Sequence, residues 1–172
     1  MPRLISSRGF FYFMMILVAD LVFMPIFRIG SFQPSLLYLA VVYAALEWHW
    51  RRAVPTAIAA GLARDFLGSG PFLVETLALL IASVGLSVLV QKIERGTIWM
   101  RFTTAFLFIF VVLLLNFFLA GLLGRGTQTF SHSITLSAGT ALWTSFWMPI
   151  FFYLSGRWFH DHVTLKQYEL FG

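Results

Sequence analysis

The sequence contains no cysteine at all. Disulfides and thiolate metal sites are therefore excluded. Charge is nearly as scarce: only 11% of the 172 residues are charged, where a soluble domain carries about 25%. So few charges cannot cover the water-facing surface of a fold of this size. The chain lacks any basic run longer than Arg51-Arg52, so its net charge of +5 does not describe a nucleic-acid surface. The long apolar runs show no period-two alternation, which excludes a membrane β-barrel. Internal repeats and low-complexity tails are missing too.

What is present is oil: 59% hydrophobic residues, 20 of them Phe, with a mean hydropathy of +0.84. The chain must meet lipid over most of its surface, and its length suits one domain. A membrane-crossing helix needs about 20 mostly apolar residues. Six such runs are predicted, near 9–29, 34–48, 53–68, 72–91, 101–124 and 134–156. The first reads as a retained anchor, because it is too long for a signal peptide and no cleavage site ends it. Pro34 and Pro55 suit the first turns of the second and third spans, where a missing N–H costs nothing. Pro149 falls inside the sixth and should kink it. The predicted fold class is an all-α integral membrane protein, a six-transmembrane-helix bundle in a single domain, residues 1–172.

An even span count puts both termini on one side. Nine of the 12 Lys and Arg residues fall on that side, and Arg28, Arg64 and Arg125 fall on or near the other. The positive-inside rule makes the first side cytoplasmic, so the chain is predicted to be multi-pass in the inner membrane of a bacterium. Trp48, Trp50, Trp99 and Trp158 lie at the inner boundary, where indole rings prefer to sit.

Polar groups inside the runs are candidate sites, because a charge at a helix centre costs about 2.5–3.5 kcal/mol on insertion scales. Asp20 is placed near the middle of the first span. Arg64 and Asp65 are placed at the outer end of the third, Glu75 at the start of the fourth and Asn116 in the outer half of the fifth. Arg28, Arg64, Asp65, Glu75 and Arg125 are all expected near the outer face, where they could form one network. Three readings remain open for these charges: pairing that fixes helix packing, contact with a partner or ligand, or a catalytic pair of Asp65 and Glu75. No nucleophile, histidine or metal cluster joins that pair. Neighbours in sequence do not share a helix face, so Arg64 and Asp65 should pair with different groups. The histidines of HDH, 160–162, point apart on a helix and read as a solvated tail, while His49 and His132 read as lone loop residues. Small residues recur every fourth position at Ala53, Ala57 and Gly61, and at Ser137, Ala141 and Ser145. Such stripes admit a close helix neighbour, from this chain or from a second protein such as another copy in a homodimer.

One set of motifs goes further. FQP, 32–34, opens the apolar helix SLLYLAVVYAAL; the basic turn EWHWRRAVP follows; then a small-residue helix ends in GLARDFLGSGPF. This resembles the MreD family, small membrane proteins of the bacterial rod-shape machinery. The matching positions are Gly61, Asp65, Phe66, Leu67, Gly68 and Ser69, with Asn116 and Pro149 also fitting. The length, span count and nearly loop-free build match over essentially the whole chain. In one departure, Leu73 follows Phe72 where the family usually has glycine, which implies a turn that closes differently.

The resemblance implies a non-enzymatic scaffold without cofactor or metal. Its partner would be MreC, a single-span protein with a large outer domain. Through it the chain would join MreB, a RodA-type glycosyltransferase and a class B penicillin-binding transpeptidase. Pro34, Gly61, Arg64, Asp65, Gly68, Glu75, Asn116 and Pro149 would serve structure or partner binding. The fold would be like that of the substrate-binding subunits of energy-coupling-factor transporters. That makes a vitamin-binding transporter subunit the alternative, although the outer loops 29–33, 69–72 and 125–133 are short for a lid. Within the scaffold reading, Asp65 is expected to accept from the N–H groups of Gly68 to Gly70 or from a neighbouring Arg. Asp65→Ala is expected to cost more than Arg64→Ala.

The charge asymmetry generates a test. An alkaline phosphatase fusion after Gly172 should be inactive and one at Gly126 active; the reverse pattern would contradict six spans with cytoplasmic ends.

Overall fold

The computed structural model of the protein describes residues 7–47, 50–68, 73–90, 98–124 and 129–160. They form α1 (Ser7–Val22), α2 (Leu36–Glu47), α3 (Trp50–Leu67), α4 (Val74–Val90), α5 (Ile98–Leu122), α6 (Phe130–Phe146) and α7 (Met148–His160). No strand occurs among the described residues; a lone bridge pairs Ile29 with Phe32. The helix spanning Trp99–Leu122 is by itself long and apolar enough to cross a membrane. Phe11–Val22, Leu36–Glu47 and Val74–Leu89 are shorter apolar helices.

Several boundaries differ from the predicted ones. α1 stops at Val22 because Pro25 follows, and proline restricts the residue before it and cannot donate to the helix ladder. From there the chain turns tightly, with Ile26 N–H donating to Phe23 O (3.1 Å), Phe27 to Met24 (3.2 Å) and Arg28 to Pro25 (3.3 Å). Asp20 thus lies in the last turn of α1, not at the middle of a span. α2 starts at Leu36, after Pro34, whose ring is fully buried. α3 starts at Trp50, so Pro55 is inside the helix rather than in its first turn. α6 begins at Phe130, which puts His132 in a helix and not in a loop. His49 and most of the HDH run lie outside the described residues.

The predicted sixth span is two helices meeting at Trp147. That residue keeps right-handed helical angles (φ −79°, ψ −9°), but its N–H reaches Thr144 O at 3.1 Å, three residues back instead of four. Pro149, the second residue of α7, has no N–H to give to Ser145, and the ladder is interrupted there.

α2 is the centre of the bundle. It touches α1, α3, α4, α5, α6 and α7, and every residue from Leu37 to Leu46 is buried. A helix apolar all round has no face to show water, so enclosure is its stable state. At about 1.5 Å per residue its 12 residues span about 18 Å, too short for a bilayer, but no lipid-facing length has to be matched. The outer surface inverts the soluble pattern. Phe11, Ile81, Leu107 and Leu142 are each at least half exposed, while Ser83, Thr144, Ser145 and Ser155 are fully buried. Such a surface suits lipid and not water.

Both small-residue stripes are used inside the chain. Ala53 and Ala57 are buried, and a Cβ at Gly61 would lie 2.4 Å from Thr76 Cα, so α3 and α4 touch backbone to backbone. Ser137, Ala141 and Ser145 are buried on α6, which packs on α5. Gly139 is covered by Phe32, whose ring comes within 2.2 Å of where a Cβ would stand. The connection between α1 and α2 is pinned to α6 by this ring. Trp143 Nε1 adds a bond to Phe27 O (2.8 Å), and the Phe27 and Trp147 rings meet edge-on at 4.7 Å.

Two glycines make a controlled comparison. Gly61→Ala should destabilise the protein by about 1–3 kcal/mol, the usual cost of overpacking, since the obstacle is backbone. Gly85 has nothing within 4 Å of its Cβ position, so Gly85→Ala should gain up to about 1 kcal/mol of helix propensity. Thermal melting in detergent reads both; equal shifts would contradict the close α3–α4 contact.

Candidate functional site

The site grows from Arg64, in the last turn of α3, where a cation suits the helix dipole. Its side chain lies over the Tyr38 ring, the guanidinium carbon 4.5 Å from the centroid. Nε meets Glu75 Oε1 at 2.9 Å. Nη1 donates to Ser35 Oγ at 2.7 Å and lies 3.8 Å from Asp20 Oδ2. The Tyr38 hydroxyl also donates to Glu75 Oε1, and Asn116 Nδ2 donates to Glu75 Oε2. One guanidinium and two carboxylates thus join α1, α3, α4 and α5 to the start of α2.

Asp20 stands at the C-terminal end of α1, an unfavourable place for an anion. It is simultaneously at the N-terminal end of α2, where it accepts from Leu36 N–H and, at 3.4 Å, from Ser35 Oγ. An aspartate of one helix therefore caps the next. Asp65 repeats the device on α4. Its Oδ1 accepts from Glu75 N–H (3.1 Å), and its Oδ2 accepts from Thr76 N–H (3.0 Å) and from the Thr76 hydroxyl.

The reason for that second cap lies at Leu73. Its carbonyl takes the first bond of α4, from Leu77 N–H at 3.0 Å, so Leu73 occupies the N-cap position. An N-cap side chain normally accepts from the second and third helical N–H groups, which here belong to Glu75 and Thr76. Leucine has no acceptor, and Asp65 supplies it from across the helix pair. Leu73 also has φ +70°, a left-handed conformation that costs about 1–2 kcal/mol for a residue with a Cβ. The backbone here is therefore the one glycine would adopt.

Some expectations are corrected. Asp65 does not accept from Gly68, whose N–H goes to Arg64 O (2.7 Å); Ser69 to Phe72 lie outside the described residues. Arg28 is not in the network: its Nε donates to Gly30 O at 2.8 Å. Arg125 lies outside the described residues, and Asp20 takes part instead. Pro34 adjoins the network as the residue before Ser35, Gly61 sets the α3–α4 distance, and Pro149 is at the separate α6–α7 break. Three participants were missed from sequence: Ser35, Tyr38 and Thr76. Tyr38 could have been found, since a tyrosine in an otherwise aliphatic buried helix needs a partner for its hydroxyl.

Chemically, the network is paired within the protein. Every carboxylate oxygen of Asp20, Asp65 and Glu75 already accepts a bond from the protein. Among the described residues no group of three potential metal ligands occurs. The arrangement holds helices together.

The geometry predicts the opposite order of alanine costs from the one read in the sequence. Arg64→Ala leaves one buried carboxylate, Asp20, and one partly buried one, Glu75, without their cation, where removing one member of a buried pair costs about 3–5 kcal/mol. The lower end applies, because 32% of the Arg64 side chain is exposed. Asp65→Ala removes a helix cap, about 0.5–2 kcal/mol. Thermal melting in detergent should rank Arg64→Ala as the less stable variant; the opposite ranking would mean that the guanidinium is not the keystone.

Comparison with known proteins gives one result. The family model described as rod shape-determining protein MreD matches residues 4–157 of the chain. No curated protein and no solved structure matches it.

Proposed function

The chain belongs to the MreD family of rod shape-determining membrane proteins, and from that premise we propose that it is a non-enzymatic scaffold of the cell-elongation machinery. In this reading it holds MreC in the inner membrane and, through MreC, helps to organise peptidoglycan synthesis by MreB, a RodA-type glycosyltransferase and a class B penicillin-binding transpeptidase. It crosses the bilayer six times with both termini in the cytoplasm, α6 and α7 together making the last crossing.

The observation that carries this reading is the internally paired network. Both oxygens of Asp65 and of Glu75, the carboxylates best placed for acid–base chemistry, are engaged within the bundle, by the α4 cap and by Arg64, Tyr38 and Asn116. A general acid or base must keep a site within reach of a substrate proton. A scaffold instead needs a rigid frame, and a network joining five helices supplies one.

Co-expression with MreC tests the reading. MreC should co-purify in detergent with the wild-type chain and with Gly85→Ala, and should fall away from Arg64→Ala in proportion to its lost stability. The purified protein should form no product from a lipid-linked cell-wall precursor. A product made by wild type and lost in both Asp65→Ala and Glu75→Ala would replace the scaffold with an enzyme.

A further inference from the structure

The α6–α7 joint contains polar groups that the bundle does not serve. Thr144 Oγ1, Ser145 Oγ and Trp147 Nε1 are buried side-chain atoms without a hydrogen-bond partner in the protein. They fall within one short stretch, at the break where Pro149 interrupts the ladder. A helical hydroxyl has the carbonyl of the preceding turn within reach. Elsewhere that bond is made. On α6 itself Ser133 Oγ donates to Thr129 O (3.3 Å) and Thr135 Oγ1 to Ser131 O (3.1 Å), and on α4 Ser87 Oγ donates to Ser83 O (2.8 Å). Thr144 and Ser145 forgo it, so their hydroxyls are turned away from their own backbone. Both residues are fully buried, so the hydroxyls are turned toward the interior of the bundle.

The three groups define what fits beside them. An indole N–H only donates, whereas a hydroxyl both donates and accepts. A metal cation needs several oxygen ligands, and an indole N–H offers it a positive dipole instead. An anion would be a buried charge, and the three groups bring no opposite charge to balance it. Lipid tails supply no hydrogen-bonding group, and on the proposed topology the joint is near the middle of the last crossing. A small neutral molecule that donates and accepts meets every requirement, and that molecule is water. Buried waters typically make about three hydrogen bonds to polar groups that the protein leaves unsatisfied.

We propose that the α6–α7 joint is a buried water site, in which water accepts from Trp147 Nε1 and bonds to the hydroxyls of Thr144 and Ser145. The Trp147 ring also meets Phe27 edge-on at 4.7 Å, so one indole connects the water to the segment between α1 and α2. The site gives the joint a polar link beside the place where Pro149 removes a backbone one.

The test uses the full-length chain in detergent. A brief X-ray pulse makes hydroxyl radicals from water where it stands, so a buried methionine is oxidised when water lies beside it. Met148 is 1% exposed and follows Trp147 directly, and exposed Met100 gives the dose. Met148 should be oxidised in the wild type, and its oxidation should drop to background in the double variant Thr144→Val, Ser145→Ala. Thr144→Val alone should melt about 2–4 °C lower, the loss of one hydrogen bond. No oxidation of Met148 in the wild type, or oxidation unchanged in the double variant, would overturn the site. A higher melting temperature for Thr144→Val would overturn it too, since removing a dry, unpartnered hydroxyl relieves its desolvation cost. If the double variant does not fold, wild-type Met148 and Ser145→Ala decide in the same way. A Met148 signal or melting temperature that depends on chloride, with gluconate as the control, would replace the water with an anion.

Discussion

A guanidinium cannot be dissolved in lipid, and the position of Arg64 is the constraint around which this bundle is arranged. Its nitrogens need acceptors in fixed directions, and those acceptors come from other helices: Glu75 at the start of α4, and Ser35 and Asp20 at the junction of α1 and α2. Burying a charge is costly, and its compensation is highly directional. The ion pairs therefore fix which helix ends meet. The net gain in stability from the pairs is modest, but the cost of mispairing them is large. That asymmetry suits a protein whose apolar surfaces would pack almost equally well in several registers.

Around that charge the structure solves a recurring difficulty of short spans, the unsatisfied N–H groups where a helix begins inside the bundle. Both solutions are non-local. Asp20 on α1 serves α2, and Asp65 on α3 serves α4. Each cap ties a helix to the one before it in the chain. The close approach at Gly61 brings Asp65 within reach, since a side chain there would hold α3 and α4 apart. Adjacent Arg64 and Asp65 thus divide the labour: one gathers helices around a charge, the other begins the next helix.

Much of this was legible in the sequence. Lipid burial followed from the missing charge, and the polar residues Arg64, Asp65, Glu75 and Asn116 stood out because their surroundings are apolar. Their partners were harder to read. Asp20 looked central to its span because the apolar run continues past Pro25, although the backbone does not continue as helix. The cap at Asp65 was invisible because it compensates for Leu73, and nothing in the chain before α4 says that a leucine will occupy an N-cap position at φ +70°. Arg28 was grouped with the network on proximity to the outer side; a carbonyl two residues away satisfies it locally. Sequence showed which groups needed partners, and the tertiary arrangement decided the partners.

The enclosure of α2 bears on the order of events during synthesis. Chains emerge from the ribosome N-terminus first, so α2 enters the membrane when only α1 is present to cover it. Its neighbours α5, α6 and α7 are made last. For most of the time that the chain is growing, the segment destined for the centre of the protein has lipid on the sides those helices will later occupy. The contact available from the beginning is the bond from Leu36 to Asp20, which needs only the first two helices. The centre of this bundle is thus started by a local cap and closed around much later, and the last helices to arrive complete the packing of one of the first.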